Sequence, residues 1–168
     1  QEEGTSVNLS QITEALQRFY DANNYLPCPA DGTEPINEEG FGKEVRANGA
    51  ARCDSSVLND SQGIRRGGDV WVGAVPVKAL NLPTSYAFDP FGRRITYAVI
   101  DDYTDAGGAP FNTNQELKLY EKYTQAGSVF TRDDENFFRF GAYVLVSHGR
   151  NGHGAYPRTP VPERPVVL

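Results

Sequence analysis

The sequence predicts an α+β domain in which one N-terminal amphipathic helix packs on a β-sheet and long loops join the elements. Ile12, Leu16 and Phe19 repeat at helical spacing and form one apolar stripe. Residues 95–100 and 142–147 are rich in β-branched and aromatic side chains, which favour strands that this stripe would cover. Burial of the three helix side chains would contribute about 5–8 kcal/mol of transfer free energy. The length of 168 residues and a 39% hydrophobic content suit a single domain with its own core.

The first half of the chain divides at its prolines and glycines. A helix is predicted within 1–25, and the prolines on either side of Cys28 require extended backbone after it. Residues 26–68 form a polar loop region that contains both cysteines. Residues 69–75 are predicted to form a strand, and 77–82 one or two helical turns between two prolines.

The second half, 69–156, carries the predicted sheet and an insertion. A turn at 89–92 precedes a strand over 93–100, where we expect Arg93 and Arg94 to be solvated, or one of them to form a salt bridge with Asp89, rather than to bind an anion. The insertion spans 101–136 and contains a predicted helix at 114–125. Residues 137–147 are the most hydrophobic segment and are predicted to be the central strand. The Pro-rich residues 157–168 are predicted to be an extended tail.

Cys28 and Cys53 are the two cysteines of the chain. A disulfide, buried free thiols and half of a metal site are the three alternatives. No C-x-x-C motif occurs and neither His148 nor His153 is close in sequence to a cysteine, which disfavours metal. We predict a disulfide, worth about 3 kcal/mol in an oxidising compartment, with buried free thiols as the alternative.

The charge and apolar patterning disfavour a nucleic-acid partner and show no membrane span within this sequence. The net charge is −6 and tight basic pairs are few, so we expect no nucleic acid partner. No apolar run is long enough to span a membrane and no signal peptide is recognisable. Because the chain contains no methionine, we expect it to be a mature or excised part of a longer protein that carried a signal or an anchor.

Four motifs follow the helix in a set order. They are Leu26-Pro27-Cys28-Pro29-Ala30-Asp31, Gly73-Ala74-Val75-Pro76 with Leu80 to Pro83, Asp89-Pro90-Phe91-Gly92 with the strand after it, and Ser147-His148-Gly149-Arg150-Asn151-Gly152. In this order they resemble the soluble part of type IV pilin-like proteins, specifically the pseudopilins of type II secretion systems. The third motif resembles the Asp-Pro-Trp-Gly turn of major pseudopilins, and the fourth resembles their Ser-x-Gly-x-Asp-Gly loop. The resemblance covers about 9–156, apart from the insertion at 101–136.

This resemblance implies a pilin-like fold, in which the N-terminal helix packs on an antiparallel β-sheet, and a structural function. Residues 1–25 would be the carboxyl half of a long spine helix, and a preceding apolar segment would anchor the precursor in a bacterial inner membrane. A prepilin peptidase would cleave that segment, which would then be methylated. The head would lie in the periplasm or at the cell surface, where a disulfide is stable, and would contact the membrane only through the missing segment. Its partners would be other pilin or pseudopilin subunits and the secretion or pilus assembly machinery.

A calcium site is the one cofactor question that the resemblance raises, since major pseudopilins hold calcium in the loop after the last strand. Residues 148–158 contain no Asp or Glu, so we expect that site to be absent and no cofactor to be needed. Asp101, Asp102 and Asp105, with acidic residues at 133–135, offer a different calcium site. A solvated acidic loop is the simpler interpretation and the one we prefer.

We therefore expect a fibre subunit that acts by assembly and partner contact. The alternative is an extracytoplasmic binding module in which loops 31–68 and 101–136 hold a ligand or an adhesion target. An enzyme is disfavoured, because neighbouring Ser147 and His148 on a strand would point to opposite faces and no Gly-x-Ser-x-Gly motif occurs. His148 and His153 lack a third metal ligand nearby.

Overall fold

The computed structural model describes residues 2–57, 63–107, 117–118, 122–125, 128–131, 139–140 and 142–150. Within them, one α-helix, α1, spans Glu2–Asn23. The strands are β1 (Arg65–Gly67), β2 (Val70–Ala74), β3 (Thr96–Ile100), β4 (Leu117–Lys118), β5 (Lys122–Gln125), β6 (Ser128–Thr131), β7 (Arg139–Phe140) and β8 (Tyr143–Val146). Short 3-10 helices include Ser55–Val57, Thr84–Ala87 and Asp101–Thr104.

Four strands form an antiparallel sheet in the order β1-β2-β3-β8. Trp71 of β2 lies opposite Val99 of β3, and Tyr97 of β3 lies opposite Leu145 of β8. The helix and this sheet confirm the predicted α+β class. The inner strands β2 and β3 carry side chains that are almost completely buried, which places the core on this part of the sheet.

Helix α1 covers the core through the predicted stripe. Ile12 and Leu16 are fully buried, and Phe19 is half-buried against the same cluster. The helix ends where Asn24 adopts a left-handed conformation with φ of 67°, and the Asn24 N–H donates to the Tyr20 carbonyl at 2.7 Å. This is a typical helix C-terminus, at which asparagine can replace glycine. No helix in the described ranges is apolar enough over a sufficient length to cross a membrane.

The segment around Cys28 is joined to the sheet at the last residue of β2. Ala30 N donates to Ala74 O at 2.9 Å, and Ala74 N donates back to Ala30 O at 2.8 Å. A β-carbon on Gly73 would lie 2.7 Å from Ala30 O and 2.8 Å from Pro29 Cβ, so only glycine permits this close approach. The buried Tyr97 hydroxyl donates to the Pro27 carbonyl at 2.9 Å, and burial raises the pKa of that hydroxyl well above its ordinary value.

Arg94 is buried, which corrects the prediction that it is solvated. Its guanidinium lies 5.0 Å from the ring centroid of Phe41 and 5.7 Å from that of Phe88, and it donates to the Glu34 carbonyl. Burial lowers the pKa of Arg94, while the charges of Asp31 and Glu34 oppose that effect. Arg94 is buried through tertiary contacts, since Phe41 and Glu34 belong to a segment distant from it in the sequence.

Two predicted elements are wrong. The segment predicted as the central strand contains β7 and β8, and β8 is the last strand in the described sheet rather than an inner one. Composition alone does not distinguish a strand buried on both faces from one that packs on one face. The helix predicted over 114–125 is replaced by β4 and β5, and β5 pairs with β6 with Tyr123 opposite Phe130. Aromatic and β-branched residues favour that hairpin.

The helical turns predicted at 77–82 are present only as a hydrogen-bonded turn. Leu80 N donates to Pro76 O at 3.1 Å and Leu82 N donates to Val77 O at 2.9 Å, without a continuing helix. Pro83 then precedes the 3-10 helix Thr84–Ala87. The prolines at both ends therefore limit the segment to one turn.

Candidate functional site

Cys28 and Cys53 form a disulfide, as predicted, with an S–S distance of 2.04 Å and a Cα–Cα distance of 5.7 Å. Buried free thiols are therefore excluded for these residues. Cys28 is 0% exposed and Cys53 is 7% exposed. The bridge joins two cysteines that are 25 positions apart in the sequence, and both belong to the hydrophobic core cluster.

Glu44 and Arg46 hold the loop that the disulfide closes. The Cys28 N–H donates to Glu44 Oε2 at 2.8 Å, and Arg46 Nε lies 3.4 Å from the same oxygen. Arg46 also donates from Nη1 to Ala51 O and from Nη2 to Thr104 O, each at 2.7 Å. Its guanidinium lies 4.9 Å from the ring centroid of Tyr25. A single arginine thus links the end of α1, the cysteine loop and the segment after β3.

Asp101 is the centre of a second group of polar contacts. Its side chain accepts from Trp71 Nε1 at 2.8 Å, Arg66 Nη2 at 3.0 Å and Arg52 Nη1 at 3.1 Å. Arg52 also binds Asp105 through Nη2 at 3.0 Å. Asp101 is 5% exposed, and a carboxylate this deeply buried is stable only with such partners.

The preferred interpretation of 101–105 as a solvated acidic loop is wrong, because Asp101 and Asp105 are both buried. Their carboxylates bind guanidinium groups instead of facing water. Asp102, the third residue of the alternative calcium site, is half-buried in the same 3-10 helix. Among the described residues no group of three or more potential metal ligands lies together, and residues 133–135 lie outside them.

The third and fourth sequence motifs meet at one end of the sheet. Asp89 Oδ1 accepts from the N–H groups of Phe91 and Arg93 at 3.0 and 2.9 Å, and Gly92 has φ of 73°. This is an aspartate-stabilised turn, with glycine where φ is positive. Asp89 Oδ2 accepts from Ser147 Oγ at 3.0 Å, which ties the turn to the residue after β8.

His148 has a different partner from Ser147. Its Nε2 lies 2.6 Å from Thr96 Oγ1, in a hydrogen bond that joins the start of β3 to the loop after β8. Ser147 and His148 therefore bind Asp89 and Thr96 respectively, and Gly149 follows with φ of 60°. Asn151, Gly152 and His153, the remaining predicted motif and loop residues, lie outside the described residues.

An apolar cavity of about 180 Å³ lies beside α1. Leu16 and Tyr20 of the helix line one side, and Tyr103 and Tyr143 line the other. The cavity is adjacent to the 3-10 helix that carries Asp101, so the end of α1, the cysteine loop and the start of β8 converge here.

Comparison with protein-family models, with curated proteins and with solved structures gave no match for this chain.

Sequence reasoning missed most of the charged contacts of this region. Arg46 and Arg52 stand in the polar loop without a pattern that marks them as buried or paired. Trp71 lies in the core, and its indole N–H donates to Asp101. The available signal was chemical: a core tryptophan needs an acceptor, and an acidic residue near the end of the paired strand supplies one.

Proposed function

We propose that this chain is the extracytoplasmic head of a pilin-like structural subunit, a pseudopilin or a minor pilin, that acts by assembly and partner contact. The observation that supports this most is that each of the four motifs is hydrogen-bonded to at least one other within a helix-on-sheet unit, the fourth through Ser147. The resemblance therefore rests on segments that adjoin in the fold as well as on motifs that follow one another in the sequence.

The first motif is bonded to the second and to the third. Ala30 pairs with Ala74 through two backbone hydrogen bonds, and Gly73 leaves the room that Pro29 occupies. Tyr97, in the strand after the Asp-Pro-Phe-Gly turn, donates to Pro27 at 2.9 Å. These contacts fix the chain that leaves α1 against the inner strands, so that helix and sheet move as one body.

The third motif is bonded to the fourth through Asp89 and Ser147. Asp89 is buried, and each of its carboxylate oxygens accepts at least one hydrogen bond. In the proposed subunit this contact closes the end of the sheet where the loop after β8 begins. The hydrogen bond between Asp89 and Ser147 fixes the first residue of that loop, which suits a surface that must meet neighbouring subunits in a repeated geometry.

In this proposal the head contributes shape and contact, and polymerisation depends on an apolar segment that the resemblance places before residue 1. Helix α1 would continue that segment into the head. The stripe of Ile12 and Leu16 attaches the helix to the sheet, while Thr13, Glu14 and Gln17 face outwards. A force or displacement of the spine would then be transmitted to the head through the helix–sheet core.

Processing of the encoded precursor tests the proposal. The complete open reading frame would be expressed with and without an active prepilin peptidase, and membrane fractions would be analysed by intact-mass measurement. The proposal predicts membrane insertion, a peptidase-dependent loss of the leader and a methylated new N-terminus. A precursor that is neither inserted in the membrane nor cleaved by the peptidase would refute it.

A further inference from the structure

We propose that the Cys28–Cys53 disulfide forms before residues 101–107 dock, and that this covering segment then shields it from thiols. Both sulfur-bearing residues are buried in the folded chain. Thr104, at the middle of the covering segment, is itself fully buried, and its Oγ1 lies 3.3 Å from Cys53 Sγ. A disulfide can exchange only with a thiolate that reaches one of its sulfur atoms, and access is a major control on the rate.

Backbone hydrogen bonds attach the covering segment to residues beside both cysteines. Leu26 N, two residues before Cys28, donates to Tyr103 O at 2.7 Å. Ala106 N donates to Ala51 O, two residues before Cys53, at 2.8 Å. The covering segment therefore lies across the two stretches of chain, around Cys28 and Cys53, that the disulfide joins.

Side-chain contacts attach the same segment to the closed loop. Arg52 directly precedes Cys53 and binds both Asp101 and Asp105, at 3.1 and 3.0 Å. Arg46 donates to Thr104 O and Ala51 O at once. These arginines reach the covering segment because the loop is folded back on itself, the geometry that the disulfide imposes. Formation of the bridge and docking of the segment are thus coupled.

The order of events follows from this geometry. A dithiol–disulfide oxidoreductase is the class of oxidant that fits: the thiolate of one cysteine attacks its disulfide, and a mixed disulfide forms as one oxidoreductase thiolate leaves. The second cysteine thiolate attacks the chain's own sulfur in that mixed disulfide and releases the other oxidoreductase thiolate. The chain loses two electrons and two protons, and the oxidoreductase becomes a dithiol. Both thiolate attacks require sulfur atoms that residues 101–107 do not cover, so both precede the docking of that segment.

The shielding is tested by reduction of the folded, oxidised protein. Tris(2-carboxyethyl)phosphine would be added under native conditions, and free thiols would be counted by alkylation and intact mass. We expect Asp101→Asn to accelerate reduction about ten-fold or more, since it weakens two charge-assisted contacts of the segment. The matched control is Asp102→Asn, whose side chain makes no hydrogen bond or ion pair within the described residues, and it should react at the wild-type rate.

A second variant separates local opening from loss of the fold. Ala106→Pro removes the one N–H that bonds to Ala51, at an exposed residue, and should also accelerate reduction while circular dichroism shows a folded protein. Equal rates for the wild type, both variants and the urea-unfolded chain would overturn the shielding. The shielding would also be overturned if the reduction rate of every variant equalled its rate of global unfolding, because the covering segment would then have no local effect.

The order is tested with Trp71, the single tryptophan, whose indole binds Asp101. The reduced, unfolded chain would be diluted into oxidised glutathione, with thiol loss followed by acid quench and docking followed by tryptophan fluorescence. We expect thiol loss to precede the part of the fluorescence change that Asp101→Asn abolishes. Completion of that change while both thiols are still free would contradict the proposed order.

Discussion

At Gly73 the fold has no space for a side chain. A β-carbon there would lie 2.7 Å from Ala30 O, which already accepts from Ala74 N, and 2.8 Å from Pro29 Cβ. We expect Gly73→Ala to lower the free energy of unfolding by about 1–3 kcal/mol through overpacking. Gly67→Ala is the matched control, because nothing lies within 4 Å of a β-carbon at Gly67, and it should change stability by less than about 0.5 kcal/mol. Urea denaturation of both variants measures the difference; equal values would contradict the close approach.

The buried side chain of Arg94 provides a second test of the packing. Replacement by alanine leaves the Glu34 carbonyl without its guanidinium donor and opens the space between Phe41 and Phe88. We expect Arg94→Ala to destabilise the protein by about 2–3 kcal/mol. Arg93→Ala changes an adjacent, half-buried arginine whose side chain has no bond within the described residues, and it should have little effect. Thermal and urea unfolding would measure the stability of both variants. Equal stability would contradict the described packing of Arg94.

Helix α1 depends on the sheet for its stability as an element. Leu16 is fully buried at the centre of the stripe, and truncation to alanine should cost about 3 kcal/mol, the transfer free energy plus a cavity. Glu14→Ala on the exposed face should cost less than about 0.5 kcal/mol. Unfolding curves followed by far-ultraviolet circular dichroism test this. A Leu16→Ala protein as stable as the wild type would mean that the helix does not pack as described.

Elements with strong local signals were predictable. The apolar stripe of α1 and the end of the helix within 1–25 are confirmed. Amphipathic spacing and the prolines that follow are local properties of the sequence, so both could be predicted. Strands β2 and β3 were predicted from β-branched runs bounded by turn residues. The position of β8 and the hairpin at 122–131 were not predictable, since strand order and pairing depend on distant partners.

In the complete domain, the disulfide could be predicted from the sequence, but the polar contacts around it could not. Two cysteines in one chain leave few alternatives, whereas the Asp101 contacts join Arg52, Arg66 and Trp71 from three separate segments. No sequence spacing marks such a group, so the acidic loop was misread as solvated. The motifs of the resemblance were found in the sequence, but their mutual hydrogen bonds came only with the fold.

Loss of the disulfide tests its contribution to the complete domain. We expect the Cys28→Ser, Cys53→Ser double variant to be less stable by about 3–3.5 kcal/mol, the loop-closure value for a separation of 25 residues. Amide hydrogen exchange should show faster exchange within 31–52 while β2 and β3 remain protected. Uniform protection across the loop and the sheet would show that the bridge does not order the loop.

We propose that this chain is the head of a fibre subunit, and incorporation of the processed protein into fibres is the decisive experiment. The complete protein would be produced in a bacterial host with a pilin-type assembly system, with and without its prepilin peptidase. Fibres would be sheared from the cells and probed with an antibody against the head. We predict that the head is recovered in the fibre fraction, at regular positions by immunogold microscopy, only when the peptidase is active. A processed protein that remains entirely outside the fibres of that host would refute the proposal.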